Sequence, residues 1–582
     1  MLKHSRHLKV KKIINEGRLQ MQHHLSLRNK VIIMLSVMAS LFLVALDQMI
    51  IATSLGKIVE EFNAFSSLGW VVTAYLITLT VTVPIAGKLS DLFGRRLMIL
   101  IGVAIFVVGS LLGGMSGSID QLIIWRAVQG IGGGIITANA FAIVGDLFAA
   151  RERGKWQGLI GAVFGIASVI GPLLGGYLTD ANNILGLVTN WRWTLYINVP
   201  IGIIAFIVIT VFCPALKHDK KPSVDYAGAS LLAIALAVLI LAIDNTEVIF
   251  ANLISSTGIS LLWLRIIMFS IVFISIAGFI AIERRAKEPI LPIYFFKNRN
   301  FVLIMIVAFL FGAAFLGSIL YLTQFNQQVF GASPTQSGLM LLPMVAGLTL
   351  SSIGVGQLIS RTGKYKIFLQ TGFALATVSV VFLLFLTPES GYLFESIIMV
   401  FLGIGMGVAI PVVNLAVQNE FSQKDLGVAT SSSQLFRSLG STIGVAIFGA
   451  MLTSAIVSGL GDMTKNAYIQ TLNKSPGMSK MGNLTDTNTL LMINTPSVKQ
   501  KINDQSAKAV SNLPVPVQSQ IKKQIKLQQD EYSSVVVHAY SDGMHDIFIV
   551  VSILMASVTI IVFFIEEKTL RSAKPLEMPG EI

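Results

Sequence analysis

Apolar residues gather along this chain in blocks of about twenty, separated by short polar and basic segments. Fourteen blocks can be traced, at 31–55, 68–86, 97–115, 121–145, 156–178, 194–212, 226–243, 261–282, 301–323, 337–359, 367–386, 394–417, 431–457 and 544–565. About twenty helical residues cover the ~30 Å hydrocarbon core of a bilayer, and a helix satisfies its own backbone polar groups there. The pattern predicts an all-α polytopic membrane protein with fourteen transmembrane helices.

Composition agrees. Only 13% of the 582 residues are charged and 54% are apolar, whereas a soluble domain carries about 25% charged residues. The net charge of +13 would suggest nucleic acid in a soluble protein. Here the Lys and Arg stand in short loops between apolar blocks, so the charge sets topology and no nucleic-acid partner is expected. With the N-terminus inside, the inner loops hold Lys88, Arg95 and Arg96; Arg151, Arg153 and Lys155; Lys217, Lys220 and Lys221; Arg284, Arg285, Lys287, Lys297 and Arg299; and Arg361, Lys364 and Lys366. The opposite short loops hold little beyond Lys57, Arg192 and Arg265. An even count returns the C-terminus to the inside. Residues 1–30 read as a cytoplasmic tail, since their polar stretch is long and no cleavage site ends the next apolar run.

Several function classes drop out. One cysteine, Cys213, allows no intramolecular disulfide, and no Cys/His metal spacing exists. No Gly-Lys-Ser phosphate loop is present, so ATP is not the expected energy source. Five of the seven histidines lie in the tail or the outer loop, and no catalytic constellation is visible. The expectation is a transporter rather than an enzyme, with no cofactor.

The two halves of the chain resemble each other. Gly130, Gly132 and Gly134 in the fourth block meet Gly403, Gly405 and Gly407 in the twelfth, 273 positions later, and Phe148 and Gly154 meet Phe421 and Gly427 at the same offset. Gly87, Gly94 and Arg95 meet Gly356, Gly363 and Lys364 at an offset of 269. Parallel six-helix repeats are a transporter architecture, with the substrate site near the midplane between them. The expected organisation is a six-helix bundle over 31–213, a linker at 214–300 carrying an inserted pair of helices, the first five helices of a second bundle over 301–457, an extracellular loop at 458–543, the last helix at 544–565 and a tail at 566–582. Within that loop, 515–532 places Val517, Ile521, Ile525 and Leu527 near helical spacing, which suits either a small amphipathic helix or hairpin, or a flexible linker.

Charges inside apolar blocks point to chemistry. Arg126 lies in the fourth block, where its repeat counterpart is the apolar Met399, so the fold does not require an arginine there. Its expected partner is Asp47, an acid well inside the first block. Desolvation and a nearby arginine act on such an acid in opposite directions, so a small change of water access or distance would switch its proton. A static ion pair is the alternative. The loop Gly87-Lys88-Leu89-Ser90-Asp91-Leu92-Phe93-Gly94-Arg95-Arg96 joins turn glycines to a carboxylate near a helix start. The fifth block carries Gly161, Gly165, Gly171, Pro172, Gly175 and Gly176, small residues that allow close helix packing and a proline that interrupts a helix. Met49, Tyr75, Gln324, Asn414 and Gln418, with Met38 and Phe164, are candidate cavity residues. Each, taken singly, is more often a lipid-facing or packing residue.

These motifs carry a resemblance. The loop 87–96 resembles the signature loop of the major facilitator superfamily, 122–134 its fourth-helix arginine motif, and 161–176 the Gly-Pro motif of its antiporter branch. Residues 46–55, Leu-Asp-Gln-Met-Ile-Ile-Ala-Thr-Ser-Leu, and 191–200, Trp-Arg-Trp-Thr-Leu-Tyr-Ile-Asn-Val-Pro, are similar to the fourteen-helix drug:proton antiporters, the QacA-like and EmrB-like pumps. The resemblance covers about 31–457 and the last helix. It implies a monomeric pump in a bacterial plasma membrane that exports lipophilic, cationic or neutral compounds in exchange for protons, in contact with membrane lipids. It implies Asp47 as the proton-linked acid, Arg126 as its regulator, and Gly87, Asp91, Gly94, Arg95 and Arg96 as a conformational switch. It implies Gly165, Gly171, Pro172, Gly175 and Gly176 as the antiporter bend. No further acid stands in 337–359 or 431–457, and Gly56 replaces the proline that ends the first-helix motif, so dications fit less well than monocationic, neutral or lipid-like substrates. A lipid or glycolipid exporter using the large outer loop is the second reading.

Overall fold

The computed structural model describes residues 26–570 apart from 63–67, 181–188, 214–223, 244–245, 333, 423–424, 462, 474–488, 491–492, 495 and 512–513. Among the described residues the fold is helical without a strand, and fourteen helices are long and apolar enough to cross a membrane. They are α1 (Leu27–Phe62), α2 (Leu68–Phe93), α3 (Arg95–Gly114), α4 (Ile119–Leu147), α5 (Ala150–Asp180), α6 (Trp193–Phe212), α7 (Tyr226–Ile243), α8 (Leu261–Glu283), α9 (Arg299–Gln328), α10 (Leu342–Thr362), α11 (Lys366–Leu383), α12 (Tyr392–Glu420), α13 (Leu426–Leu460) and α14 (Val515–Phe563). Below, the face at which α1 begins is the near face and the opposite one the far face. The predicted tails fall outside the described residues at 1–25 and 571–582.

The internal repeat is physical. A Cβ on Gly130 would stand 2.4 Å from the Tyr75 carbonyl oxygen, and one on Gly403 would stand 2.0 Å from that of Met344. Gly134 meets the Leu79 carbonyl at 2.7 Å, and Gly407 that of Leu348 at 2.3 Å. Met344 and Leu348 are the 269-offset counterparts of Tyr75 and Leu79. The same glycines therefore seat α4 on α2 and α12 on α10, at distances that only small residues allow. Local signals set the ends. Ser118 caps α4 by accepting a hydrogen bond from the Gln121 amide at 3.3 Å, with Asp120 in the first turn. Gly94 and Gly363, repeat counterparts, both take positive φ values, +96° and +72°, where a side chain would be strained.

The inserted pair α7–α8 packs through α7 on α2 and more lightly on α13. Leu232 and Leu236 of α7 share an apolar cluster with Leu435 of α13, with Val81 of α2 packed against it. The pair thus lies along one seam between the two halves. Lys88 bonds Glu288 at 2.8 Å, fastening the loop after α2 to the segment after α8.

The largest departure from expectation is on the far side. The last helix was expected at 544–565, after a polar loop. Instead α14 begins at Val515 and runs unbroken for 49 residues, roughly 74 Å at 1.5 Å per residue, more than twice the bilayer core. The apolar positions near helical spacing at 515–532 belong to the start of this helix rather than to a separate element. α13 also runs past its predicted limits, to Leu460. A short helix, Ala467–Asn473, and a longer one, Pro496–Ala509, fold back on the overhang. The Gln529 amide donates to the Tyr468 hydroxyl at 2.8 Å, the Tyr532 hydroxyl to the Leu490 carbonyl at 2.7 Å, and Lys499 to the Ser533 hydroxyl at 2.6 Å. Ile469, Leu472, Ile493, Ile502 and Tyr532 are buried there. The described part of the 458–543 segment is a packed cap.

Candidate functional site

Four helices converge on Asp47 in the far half of the N-terminal bundle. The Asp47 carboxylate is fully buried. Arg126 Nη1 donates to its Oδ2 at 2.5 Å; Gln129 Nε2 and Asn198 Nδ2 donate to its Oδ1 at 2.8 and 3.1 Å. Both amides also donate to the Ser110 hydroxyl oxygen, at 2.7 and 2.9 Å. Arg126 Nη1 reaches Gln129 Oε1 at 2.7 Å as well, and its Nε points to the Val71 carbonyl at 3.4 Å. The Tyr75 ring lies 4.3 Å from the guanidinium, in cation–π range. Every hydrogen-bonding side chain of this cluster is buried. Among the described residues Asn198 Oδ1 has no partner, and the Tyr75 hydroxyl, which faces Gln48, has none of ordinary geometry. Through these bonds the Asp47 carboxylate ties α1 to α4 and α6, and the Ser110 hydroxyl of α3 is shared by the two amides.

The expected pair Asp47–Arg126 is thus brought together, and the structure adds Gln129, Ser110 and Asn198. Sequence reasoning assigned these three no role. An amide one turn from a buried arginine was the available signal for Gln129; nothing local marks Ser110.

The loop after α2 forms the second cluster, at the near face. Arg95 donates to Asp91 and to the Ser90 hydroxyl, and its Nε donates to Asp146 Oδ2 at 2.8 Å. Asp91 Oδ2 accepts from the Val428 amide at the start of α13, at 3.1 Å. A Cβ at Gly87 would stand 2.2 Å from the Ser431 hydroxyl oxygen of α13, so the two halves touch there. Arg96 takes no part: its guanidinium donates to the Thr210 carbonyl of α6. Other contacts between the halves lie toward the same face. Arg151 Nε donates to the Ser360 carbonyl at 2.8 Å, Ser352 to the Gly158 carbonyl at 2.9 Å, and Gln418 Nε2 to the Phe141 carbonyl at 3.0 Å.

The Gly-Pro residues stand on α5 where it meets both halves. Gly171 meets Met49 of α1, Gly165 meets Thr349 of α10, and Pro172 packs against Gly338 of the short helix Pro334–Met340. Gly175 and Gly176 follow one turn on. The candidate cavity residues do not form one pocket. Met49 packs on Gly171, Tyr75 belongs to the Arg126 cluster, and Gln324 accepts from the Tyr540 hydroxyl of α14 at 2.6 Å. Gln418 ties α12 to α4, and Asn414 accepts from Gln434 of α13 at 2.9 Å.

Besides Asp146, two charged residues emerge that sequence reasoning left unassigned. Glu395, in the first turn of α12, is fully buried, and neither of its oxygens has a hydrogen-bond partner of ordinary geometry, although Asn326 of α9 faces it. Asp47 is therefore not alone as a buried acid. Arg437 of α13 is the other; it lies seven residues inside its apolar block and obeys the rule that singled out Arg126.

With this geometry in view, comparison with known proteins places the chain. The family model described as Major Facilitator Superfamily matches residues 37–445. This chain belongs to that superfamily. It is 37% identical to the "Multidrug transporter protein MdtP" of Bacillus subtilis (strain 168), over 73% of this chain and 76% of that one. It is 34% identical to "Multidrug resistance protein 3" of the same organism, over 74% and 81%. The solved structure of the human organic anion transporter MFSD10 superposes with a TM-score of 0.54, covering 72% of this chain and 93% of that one. At 16% identity this last likeness concerns the fold alone. The protein is a multi-pass membrane transporter of the major facilitator superfamily.

Proposed function

We propose that this transporter is a proton-coupled antiporter exporting lipophilic compounds across a bacterial plasma membrane, with its near face cytoplasmic. The single observation that carries this reading is Asp47. A membrane-embedded carboxylate held by three donors from two other helices, one of them an arginine, is an expensive arrangement that a passive pore does not require. A proton entering from the far side would cost Arg126 its counter-ion bond and loosen α1 from α4. The near-face cluster Asp91–Arg95–Asp146 with Val428 would then release, and the halves would rock about the α5–α10 contact. The names of the relatives support export of drug-like compounds.

The test is transport in proteoliposomes. A proton gradient is imposed in the export direction, and fluorescent lipophilic cations, neutral compounds and anions are followed for wild type and Asp47→Asn. Gradient-driven movement of at least one class, lost in the variant, is the expected result. Equal gradient-driven movement in both proteins would overturn the coupling role. One observation favours the second reading, a lipid or glycolipid exporter: the packed cap on the overhang of α14, a folded surface beyond the membrane span that could handle a lipid. Lipid translocation in the same liposomes, lost when the cap is removed, would favour it.

A further inference from the structure

Arg437 stands about 16 Å up α13 from its near-face start, at 1.5 Å per residue, inside the apolar stretch of that helix. Its backbone carbonyl lies against Gly312 of α9, which turns the side chain away from that helix and toward the other half. There the guanidinium stands 5.6 Å from the centre of the Phe164 ring of α5. Its Nε and Nη2 donate to Gln434 Oε1, at 3.2 and 2.6 Å, and the Gln434 amide donates on to Asn414 Oδ1 at 2.9 Å. Among the described residues Nη1 has no acceptor and no carboxylate lies within ion-pair distance. The residue is half-buried rather than sealed. A membrane-embedded arginine ordinarily pairs with an acid or with backbone carbonyls, as Arg126 and Arg95 do here. Arg437 has a neutral amide and the face of the Phe164 ring, and no anion among the described residues.

The internal repeat shows what this position is for. At the 273 offset, Arg437 corresponds to Phe164 and Asn414 to Phe141. Phe141 and Phe164 stack on each other, with centroids 6.3 Å apart. Two pseudo-symmetric positions therefore face each other across the halves with opposite chemistry. One wall is an aromatic pair; the other is a guanidinium with two amides. A uniformly lipophilic cation would meet like charge inside the membrane, at an undiminished desolvation cost. An amphiphile with an acidic group would supply the missing acceptor to Nη1 and rest its apolar body on the aromatic wall.

We propose that Arg437, Gln434 and Asn414, facing Phe164 and Phe141, form the recognition site for the anionic group of an amphiphilic substrate. This rests on the exporter reading and deepens it: the preferred cargo is an organic anion such as a lipophilic carboxylate, in place of the cationic or neutral cargo that the family resemblance implies. Guanidinium–carboxylate pairing out of water is short, charge-assisted and geometry-selective, so it separates substrates that share one ring system.

The experiment uses the purified full-length protein in a neutral maltoside detergent, without any proton gradient. Three probes carry the same pyrene: pyrenebutyrate, pyrenebutanol and pyrenebutylammonium. Binding is read as the concentration giving half the maximal thermal stabilisation. Wild type is expected to bind pyrenebutyrate about tenfold or more tighter than the ammonium compound, since a hydrogen bond to a charged group is worth at least that factor. Arg437→Gln should remove the preference while leaving alcohol binding unchanged. Arg437→Lys should keep part of it, and Phe164→Leu should weaken all three probes alike. A wild-type preference for the ammonium or no charge preference would overturn the proposal, as would a preference that survives in a folded Arg437→Gln protein. If that variant does not fold, wild type and Arg437→Lys still decide. Binding without gradient-driven transport would keep the site and sink the exporter reading; gradient-driven transport of cations with no anion preference would do the reverse.

Discussion

Arg126 Nη1 lies 2.5 Å from Asp47 Oδ2, and the two side chains are 1% and 0% exposed. A pair so sealed is unequal in its two members. Removing the cation leaves an uncompensated buried carboxylate, which costs about 3–5 kcal/mol, whereas Asp47→Asn leaves Arg126 without its counter-ion but still held by the new amide oxygen, Gln129 Oε1, the Val71 carbonyl and the Tyr75 ring. Arg126→Ala should therefore lower the thermal midpoint in detergent by several degrees, and Asp47→Asn by much less while abolishing gradient-driven transport. Fluorescence-detected thermal melts of both variants check the ordering; equal losses would count against it.

Gly87 and Ser431 set a second expectation. A side chain at Gly87 would overlap Ser431 at the near-face contact of the halves. Gly87→Val should disfavour the near-face-closed arrangement and slow turnover by about tenfold or more with little change in apparent affinity, and Asp91→Asn should act in the same sense by loosening Arg95 and Val428. A cysteine-accessibility survey of near-face cavity positions, run beside transport rates, measures both effects. Unchanged rates would remove the loop from the cycle.

Cys213, the one cysteine, sits buried just past the end of α6, where burial pushes its thiol up to about 11. The thiolate is the reactive form, so the native protein should resist maleimide at pH 7 and label slowly even at pH 9. Labelling should become rapid on denaturation. Mass spectrometry of native and urea-treated samples reads this directly, and it leaves the native protein as a clean background for introduced cysteines.

At the far end of α1, Glu61 accepts from the Trp191 indole at 2.6 Å and from Arg192 at 2.7 Å. Burial alone would raise its carboxyl, yet these two partners outweigh burial and hold it below the ordinary value of 4.5. A carboxyl lowered in the folded state adds stability above its unfolded value, and that stability is lost as pH falls through the folded one. Glu61→Gln should therefore change the thermal midpoint little at a pH low enough to protonate the folded carboxyl and lower it modestly at pH 6–8. The group is partly exposed, so the effect is a small one.

Much of this was legible in the sequence because the membrane reduces the alternatives. Hydropathy located all fourteen spans, and the glycine repeat predicted that α4 and α12 play the same part in their halves. Asp47 and Arg126 were legible because a charge in lipid must find a partner. Arg437 breaks that expectation, and only coordinates reveal an arginine without a counter-ion. The overhang of α14 escaped for a different reason: its first thirty residues are polar, and hydropathy detects what lipid requires of a helix while saying nothing of helices that stand in water on neighbours such as Pro496–Ala509.

That overhang has a mechanical consequence. The polar contacts of the cap and of Tyr540 are made within the C-terminal half, to α9, to α14 itself and to the short helices packed on it. Some 29 residues of α14 precede Met544, a lever arm of ~43 Å at 1.5 Å per residue. If the C-terminal half tilts by about 10° in the cycle, the tip sweeps ~7 Å through the medium on the far side. The far cap is thus a built-in pointer: dyes placed on it and on the N-terminal bundle would report each half-cycle by a distance change several times larger than any at the buried sites.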